Sequence, residues 1–209
     1  MLAVFVKMTG MQENTKRQAI LTAAHTQFRQ YGYRKTSMED IARELGISRA
    51  SLYSYFENKD EIFRCVSMSL HEQALAEAKS CLDAYLNQEA NGLDVGAQVE
   101  SALLARHRPF QGEFVQSPHG VELHDEYSRL CGDIVSDSHT RFQTMLGTAL
   151  KGAARRGEVD FKKAGVTAVQ AAELLNLATA GLKRGATDAA TFEKRVRMMA
   201  AVFIAGLRL

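Results

Sequence analysis

The sequence predicts an all-α protein: an N-terminal three-helix domain with a helix-turn-helix, joined to a larger helical domain. Three observations predict it. Apolar residues recur at three- and four-residue spacing along most of the 209 residues. Alternating strand patterns bounded by turn signals are lacking, and the prolines, Pro109 and Pro118, both fall in one stretch. A composition 46% hydrophobic and 24% charged suits a globular chain and excludes disordered and fibrous classes. The longest purely apolar run, Met198 to Ala205, falls far below the roughly 18 residues that span a bilayer. A cytosolic protein with no membrane partner is expected. Residues 1–64 hold 10 Lys+Arg against 7 Asp+Glu, and residues 65–209 hold 16 against 17, so the net +2 gathers in a small basic N-terminal part. That asymmetry suits a polyanion.

Residues 1–14 show no helical periodicity and read as a flexible arm, with Met8 and Met11 as alternative starts. Ile20, Ala24, Phe28 and Tyr31 then form one stripe of a first helix ending near Gly32. Thr36-Ser-Met-Glu39 has the pattern of a capping box, and Met38, Ile41, Ala42 and Leu45 make the buried face of a second helix. Gly46 supplies a left-handed turn, Ser48 caps a short third helix, and Leu52 with Phe56 anchors it. This is a helix-turn-helix, placed over residues 15–60. Its third helix leaves Arg49, Ser51, Tyr53, Ser54 and Tyr55 on the outer face, with Lys59 just beyond. A guanidinium can donate twice to guanine in a major groove, short side chains allow close approach, and phenol carbons can meet a thymine methyl.

Asn58 caps a fourth helix, on which Ile62, Val66, Leu70, Ala74, Ala78 and Leu82 step by four, a lever into the domain of residues 61–209. Residues 108–120 contain both prolines and read as an interruption. From Val121 to about Arg156 a long helical stretch follows; Phe110, Phe114, Tyr127, Phe142 and Met145 are nominated as contacts of a small-molecule ligand. Two apolar helices end the chain. Leu174, Leu175, Ala178, Leu182, Val196, Met199 and Phe203 are expected to form a two-fold dimer interface, where small residues such as Ala171 and Gly181 permit close approach. His119 and His124 lie near one another, yet no metal-ligand motif, nucleophile elbow or phosphate loop accompanies them, so no cofactor, metal or enzymatic activity is expected. Cys65, Cys81 and Cys131 form no C-x-x-C pair and are expected to be reduced; a redox sensor using Cys131, or a helical interaction protein, is the alternative reading.

Residues Gly46-Ile-Ser-Arg-Ala-Ser-Leu-Tyr-Ser-Tyr-Phe-Glu-Asn-Lys-Asp-Glu-Ile-Phe63, with Ile20, Ala23-Ala24, Phe28, Gly32-Tyr33, Thr36-Ser37 and Ile41-Ala42 upstream, resemble the hallmark of TetR-type transcriptional regulators. The resemblance covers about residues 15–63. It implies that Thr36, Ser37, Arg49, Ala50, Ser51, Tyr53, Tyr55 and Lys59 touch duplex DNA, with Tyr53, Tyr55 and Lys59 chiefly at phosphates; Ser48 and Ser54 border them. It further implies a homodimer on a palindromic operator and release by an unknown small-molecule effector.

Overall fold

The structure, a computed structural model, describes residues 2–86, 94–114, 117–183 and 188–208, with side chains over 13–84, 94–110, 117–183 and 188–208. Among them every regular element is a helix: α1 (Leu2–Tyr31), α2 (Met38–Glu44), α3 (Arg49–Tyr53), α4 (Lys59–Leu86), α5 (Val95–Phe114), α6 (Gly120–Leu130), α7 (Gly132–Arg155), α8 (Ala168–Leu182) and α9 (Ala189–Leu207). The chain divides into two compact units, residues 1–69 with 116–132, and residues 70–115 with 133–209. The first unit is therefore larger than the expected 15–60 domain: it takes the start of α4 and all of α6.

In the first unit Ile20, Ala24 and Phe28 are buried as their spacing predicts. Tyr31 is 46% exposed instead, because the helix ends there and the chain turns at Gly32, whose φ of 85° lies in the left-handed region. Helix α1 reaches back to Leu2, so residues 2–14 are helical and not the expected arm. A helix once nucleated adds a hydrogen bond for each residue fixed and needs no apolar stripe to extend. Phe28, Tyr33 and Phe63 form a ring cluster with centroids 5.0 to 5.6 Å apart. The cap of α2 sits one residue later than expected. Ser37 Oγ accepts from the Asp40 amide at 3.2 Å, and Asp40 Oδ2 accepts from the Ser37 amide at 2.9 Å. Thr36 belongs to the preceding turn, where its hydroxyl donates to the Gly32 carbonyl at 2.7 Å. Gly46 takes a φ of 66°, Ser48 Oγ caps the Ser51 amide at 3.1 Å, and Leu52 and Phe56 are buried, all as expected.

Helix α6 is held to the α1–α2 turn by its acids. Glu122 Oε1 accepts from the Arg34 amide at 2.6 Å, and Glu126 pairs with Arg34 at 3.3 Å and with Arg129 at 2.7 Å. Gly32 is required there for a second reason: a Cβ at that position would lie 2.5 Å from Glu122 Oε2.

The core of the second unit is built from Leu103, Phe142, Leu146, Leu150, Leu175, Val196 and Ile204, with α5 and α8 each against α9. Helix α5 passes through Pro109 to Phe114, so the first part of the expected interruption is helical, and among its described residues only 117–119 are not. Loss of one helical hydrogen bond at Pro109 is tolerated because buried Ala105 and Phe110 anchor the helix on both sides. The predicted stretch from Val121 to Arg156 is broken at Cys131, which caps α6. On α4, Val66, Ala74, Ala78 and Leu82 are buried and Leu70 half-buried. The three thiols are free, and Cys131 is fully buried, which denies an oxidant access and weighs against the redox alternative.

The expected dimer residues divide. Leu175 and Val196 are fully buried in the core of their own chain and cannot form an intermolecular face. Leu182, Met199 and Phe203 pack partly against the same core, whereas Leu174 is 48% exposed and Ala178 is also exposed. The outward apolar face is instead Leu174, Leu177, Met198 and Val202, with Val202 75% exposed. Consecutive helical positions differ by about 100°, so composition cannot tell which of Leu174 and Leu175 faces in.

Candidate nucleic-acid interface

Helix α3 lasts only five residues, Arg49–Tyr53, so its placement depends on what surrounds it. Ser48 caps its start, Leu52 ties it to the interior, and the Ser54 and Tyr55 amides close its end on the Ala50 and Leu52 carbonyls. With Leu52 pointing inward, the helical period leaves Arg49, Ala50, Tyr53 and Ser54 exposed and Ser51 and Tyr55 half-buried. Of the residues nominated for this outer face, Arg49, Ala50 and Tyr53 are exposed on the helix and Ser54 is exposed just past its end.

Arg49 does not project freely. Its Nη1 pairs with Glu39 Oε1 at 2.5 Å, its Nη2 donates to Tyr53 Oη at 3.2 Å, and its guanidinium carbon lies 5.2 Å from the Tyr53 ring centroid. The Tyr53 hydroxyl first, and then Glu39, raise its already high pKa. Glu39 was missed as a site residue by sequence reasoning. No helical spacing links it to Arg49; the turn through Gly46 alone brings α2 and α3 together. An exposed pair of this kind is screened by salt and yields readily to a stronger anion.

Three nominated residues have structural work. Thr36 is 2% exposed, with its hydroxyl bound to main-chain carbonyls, so it supports the turn and presents no side chain outward. Lys59 is half-buried; its Nζ donates to the Tyr33 carbonyl at 2.8 Å and the Thr36 carbonyl at 2.9 Å, and lies 4.2 Å from the Tyr33 ring centroid. Burial lowers its pKa against the pull of Asp60, Glu126 and Glu122. Two of its three protons are thus spent within the fold. Ser37 is half-buried and occupied as the α2 cap, with Asp40 held below the usual carboxylate range chiefly by the Ser37 hydroxyl.

The nominated ligand contacts also separate. Phe110 and Phe142 are buried in the second unit and Met145 packs on its core, but Tyr127 belongs to α6 in the first unit. The side chain of Phe114 lies outside the described residues. Sequence reasoning missed Arg106, which lies near Phe110 and Phe142, Lys183 near Phe110, and His107, which packs on Phe192. The available signal was a basic residue on an apolar stripe: Val99, Leu103, Arg106 and Phe110 share one helical face.

Residues 20–66 match the family described as bacterial regulatory proteins, tetR family. The chain is 31% identical over 96 residues to the HTH-type transcriptional regulator YfiR of Bacillus subtilis, a match covering 42% of this chain and 47% of that relative. The match thus spans about half of that relative's length. It is 26% identical to the probable HTH-type transcriptional regulator ArpR of Pseudomonas putida, over 77% of this chain and 78% of that one. Its fold is that of SmeT, the repressor of the Stenotrophomonas maltophilia multidrug efflux pump SmeDEF, with a TM-score of 0.63, 20% identity, and 92% and 90% of the two chains covered. Residues 20–66, the segment that holds the capped two-helix unit, are thus similar to the tetR family of bacterial regulatory proteins, and the fold along nearly the whole chain is one shared with SmeT.

Proposed function

We propose that the protein is a homodimeric, DNA-binding transcriptional regulator, a repressor that leaves a palindromic operator when a small-molecule effector binds its second unit. The observation that carries the reading is the outer face of α3, where Arg49, Ala50, Tyr53 and Ser54 are exposed while Leu52 is fully buried. Arg49 leaves Glu39 for a base edge, and the short side chains of Ala50 and Ser54 let the helix approach the groove. Tyr53, Tyr55 and the remaining Lys59 proton serve phosphates, which set register without reading sequence.

The dimer supplies the second reading helix. The outward face of Leu174, Leu177, Met198 and Val202 on α8 and α9 is the apolar surface offered to a second copy, and a two-fold pair on it would form a four-helix bundle. Two short helices spaced by whole DNA turns read a palindrome that one cannot. Helix α4 runs through residues of both units without interruption, which supports it as the element biased by effector, with operator affinity falling by linkage. SmeT, whose fold this chain shares, has been solved in complex with triclosan, which supports a small-molecule effector.

The test is selection of bound duplexes from a random pool followed by gel-shift titration. Arg49→Ala is expected to relax preference at one base position, a loss of about 1–3 kcal/mol of discrimination. Wild-type protein that binds no duplex, or binds with no salt dependence, would overturn the reading.

A further inference from the structure

The second unit contains a group of basic side chains that the DNA-binding reading does not use. Arg106 on α5 is 3% exposed; it donates to Ser138 Oγ at 2.9 Å and lies 3.3 Å from His71 Nδ1. Its guanidinium carbon is 5.8 Å from the Phe110 ring centroid and 5.9 Å from that of Phe142. Lys183, at the end of α8, has an exposed stem, yet its ammonium turns in over the other side of this group, 5.7 Å from the Phe110 centroid. Among the described residues no acceptor bonds to that ammonium. His107 is 5% exposed, stands edge-on to Phe192 at 5.5 Å, and has no partner for either ring nitrogen.

Basic groups predominate among the charges that act on these side chains. Burial, then Arg106, pulls Lys183 down to about 8. Burial, followed by Lys183, Arg106, His139 and His71, drives His107 well below its ordinary range and keeps it neutral. His71 is lowered to about 3, by burial and then Arg106. Glu72 faces His71, but both its oxygens are gripped by Arg141. A cation or metal is therefore excluded by charge, and an anion is favoured. Buried donors without partners cost free energy that a bound acceptor restores.

We propose that this cluster is a carboxylate-binding site, taking the effector's carboxylate between Arg106 and Lys183, with His107 as a further donor and Phe110 and Phe142 against an apolar body. A guanidinium matches the two oxygens of a carboxylate in its plane. The identification of the acid as effector rests on the regulator reading; the binding site itself does not.

The full-length protein is titrated by calorimetry with benzoate, phenylacetate and hexanoate, each beside its primary amide, and with inorganic phosphate. At least one acid is expected to bind about tenfold or more tightly than its amide, and Lys183→Met to weaken that acid by about tenfold, with Arg106→Met weakening it further. Lys151→Met, on the exposed face of α7, is expected to leave the titration unchanged. Acids that bind no better than amides, phosphate that binds as tightly as every acid, or a Lys183→Met variant with wild-type affinity would each overturn the site. Duplex binding is measured in the same preparations without acid. Loss of acid binding with duplex binding intact refutes this site alone, whereas absence of duplex binding refutes the regulator reading and leaves the titration to decide the site.

Discussion

The candidate interface of the first unit and the buried basic cluster of the second treat their charged groups in different ways. In the first, charges lie at or near the surface and find opposite partners: Glu126 with Arg34 and Arg129, Asp40 with Ser37 and Arg43, Arg49 with Glu39. In the second, Arg106 is buried beside His71 and Ser138, and His107 is buried with neither ring nitrogen hydrogen-bonded. The first arrangement suits a surface that exchanges one exposed partner for another. The second suits a site whose free energy is lowered only when something anionic enters. The difference teaches that binding chemistry is written as an exchangeable contact in one unit and as an unmet demand in the other.

Three experiments sharpen this contrast. The largest effect belongs to the apolar framework of the second unit. Leu175→Ala, at a fully buried position, is expected to cost about 2–5 kcal/mol in urea unfolding. The adjacent Leu174→Asp is expected to leave the monomer's fold intact and shift sedimentation from dimer to monomer. Equal losses of stability at the two positions would refute the division between inner and outer faces.

Next comes the turn that joins α6 to the first unit. Gly32→Ala places a residue with a Cβ in a left-handed backbone and against the Glu122 carboxylate; Gly46→Ala meets the same backbone penalty in open space. Gly46→Ala is expected to cost about 1–2 kcal/mol, and Gly32→Ala measurably more, because Glu122 must give up the Arg34 amide. If denaturation shows equal costs, the contact with α6 contributes nothing.

The smallest effect is a difference in acid sensitivity. His71 titrates near 3 and His107 well below its ordinary 6.5, so the unfolded chain takes up protons below pH 6.5 that the folded chain refuses. The contribution of these two histidines is therefore full above pH 6.5 and falls as pH drops below it. In the first unit Asp40 and Glu126 are depressed, Glu126 chiefly by its bond from Arg129. Their contribution is present above the ordinary carboxylate values, 3.8 and 4.5, and is lost only as pH falls through the lower folded ones. Hydrogen exchange at pH 5 is expected to show protection falling first in α5, α7 and α8. Simultaneous loss in α2 would contradict the assignment.

Much of the first unit is legible residue by residue because its determinants are local. Ser48, Gly46 and Leu52 act within a few positions of themselves, so cap, turn and anchor can be read along the chain. The α2 cap was displaced by one residue because Thr36 and Ser37 are chemically alike; only the acceptor carbonyl of Gly32 shows which hydroxyl is already engaged. Along the chain Lys59 reads as a freely projecting cation; the Tyr33 and Thr36 carbonyls take two of its protons.

Composition, periodicity and the motif spanning residues 46–63 by themselves determined the helical class, the reading helix and the side chains on its outer face. Tertiary structure alone decided that Glu39 restrains Arg49, that α6 belongs with the first unit, which of Leu174 and Leu175 points outward, and that Arg106, His107 and Lys183 meet. The reason is physical. Capping and turn formation depend on neighbours within a few residues, whereas the burial of a charge depends on which distant helices surround it.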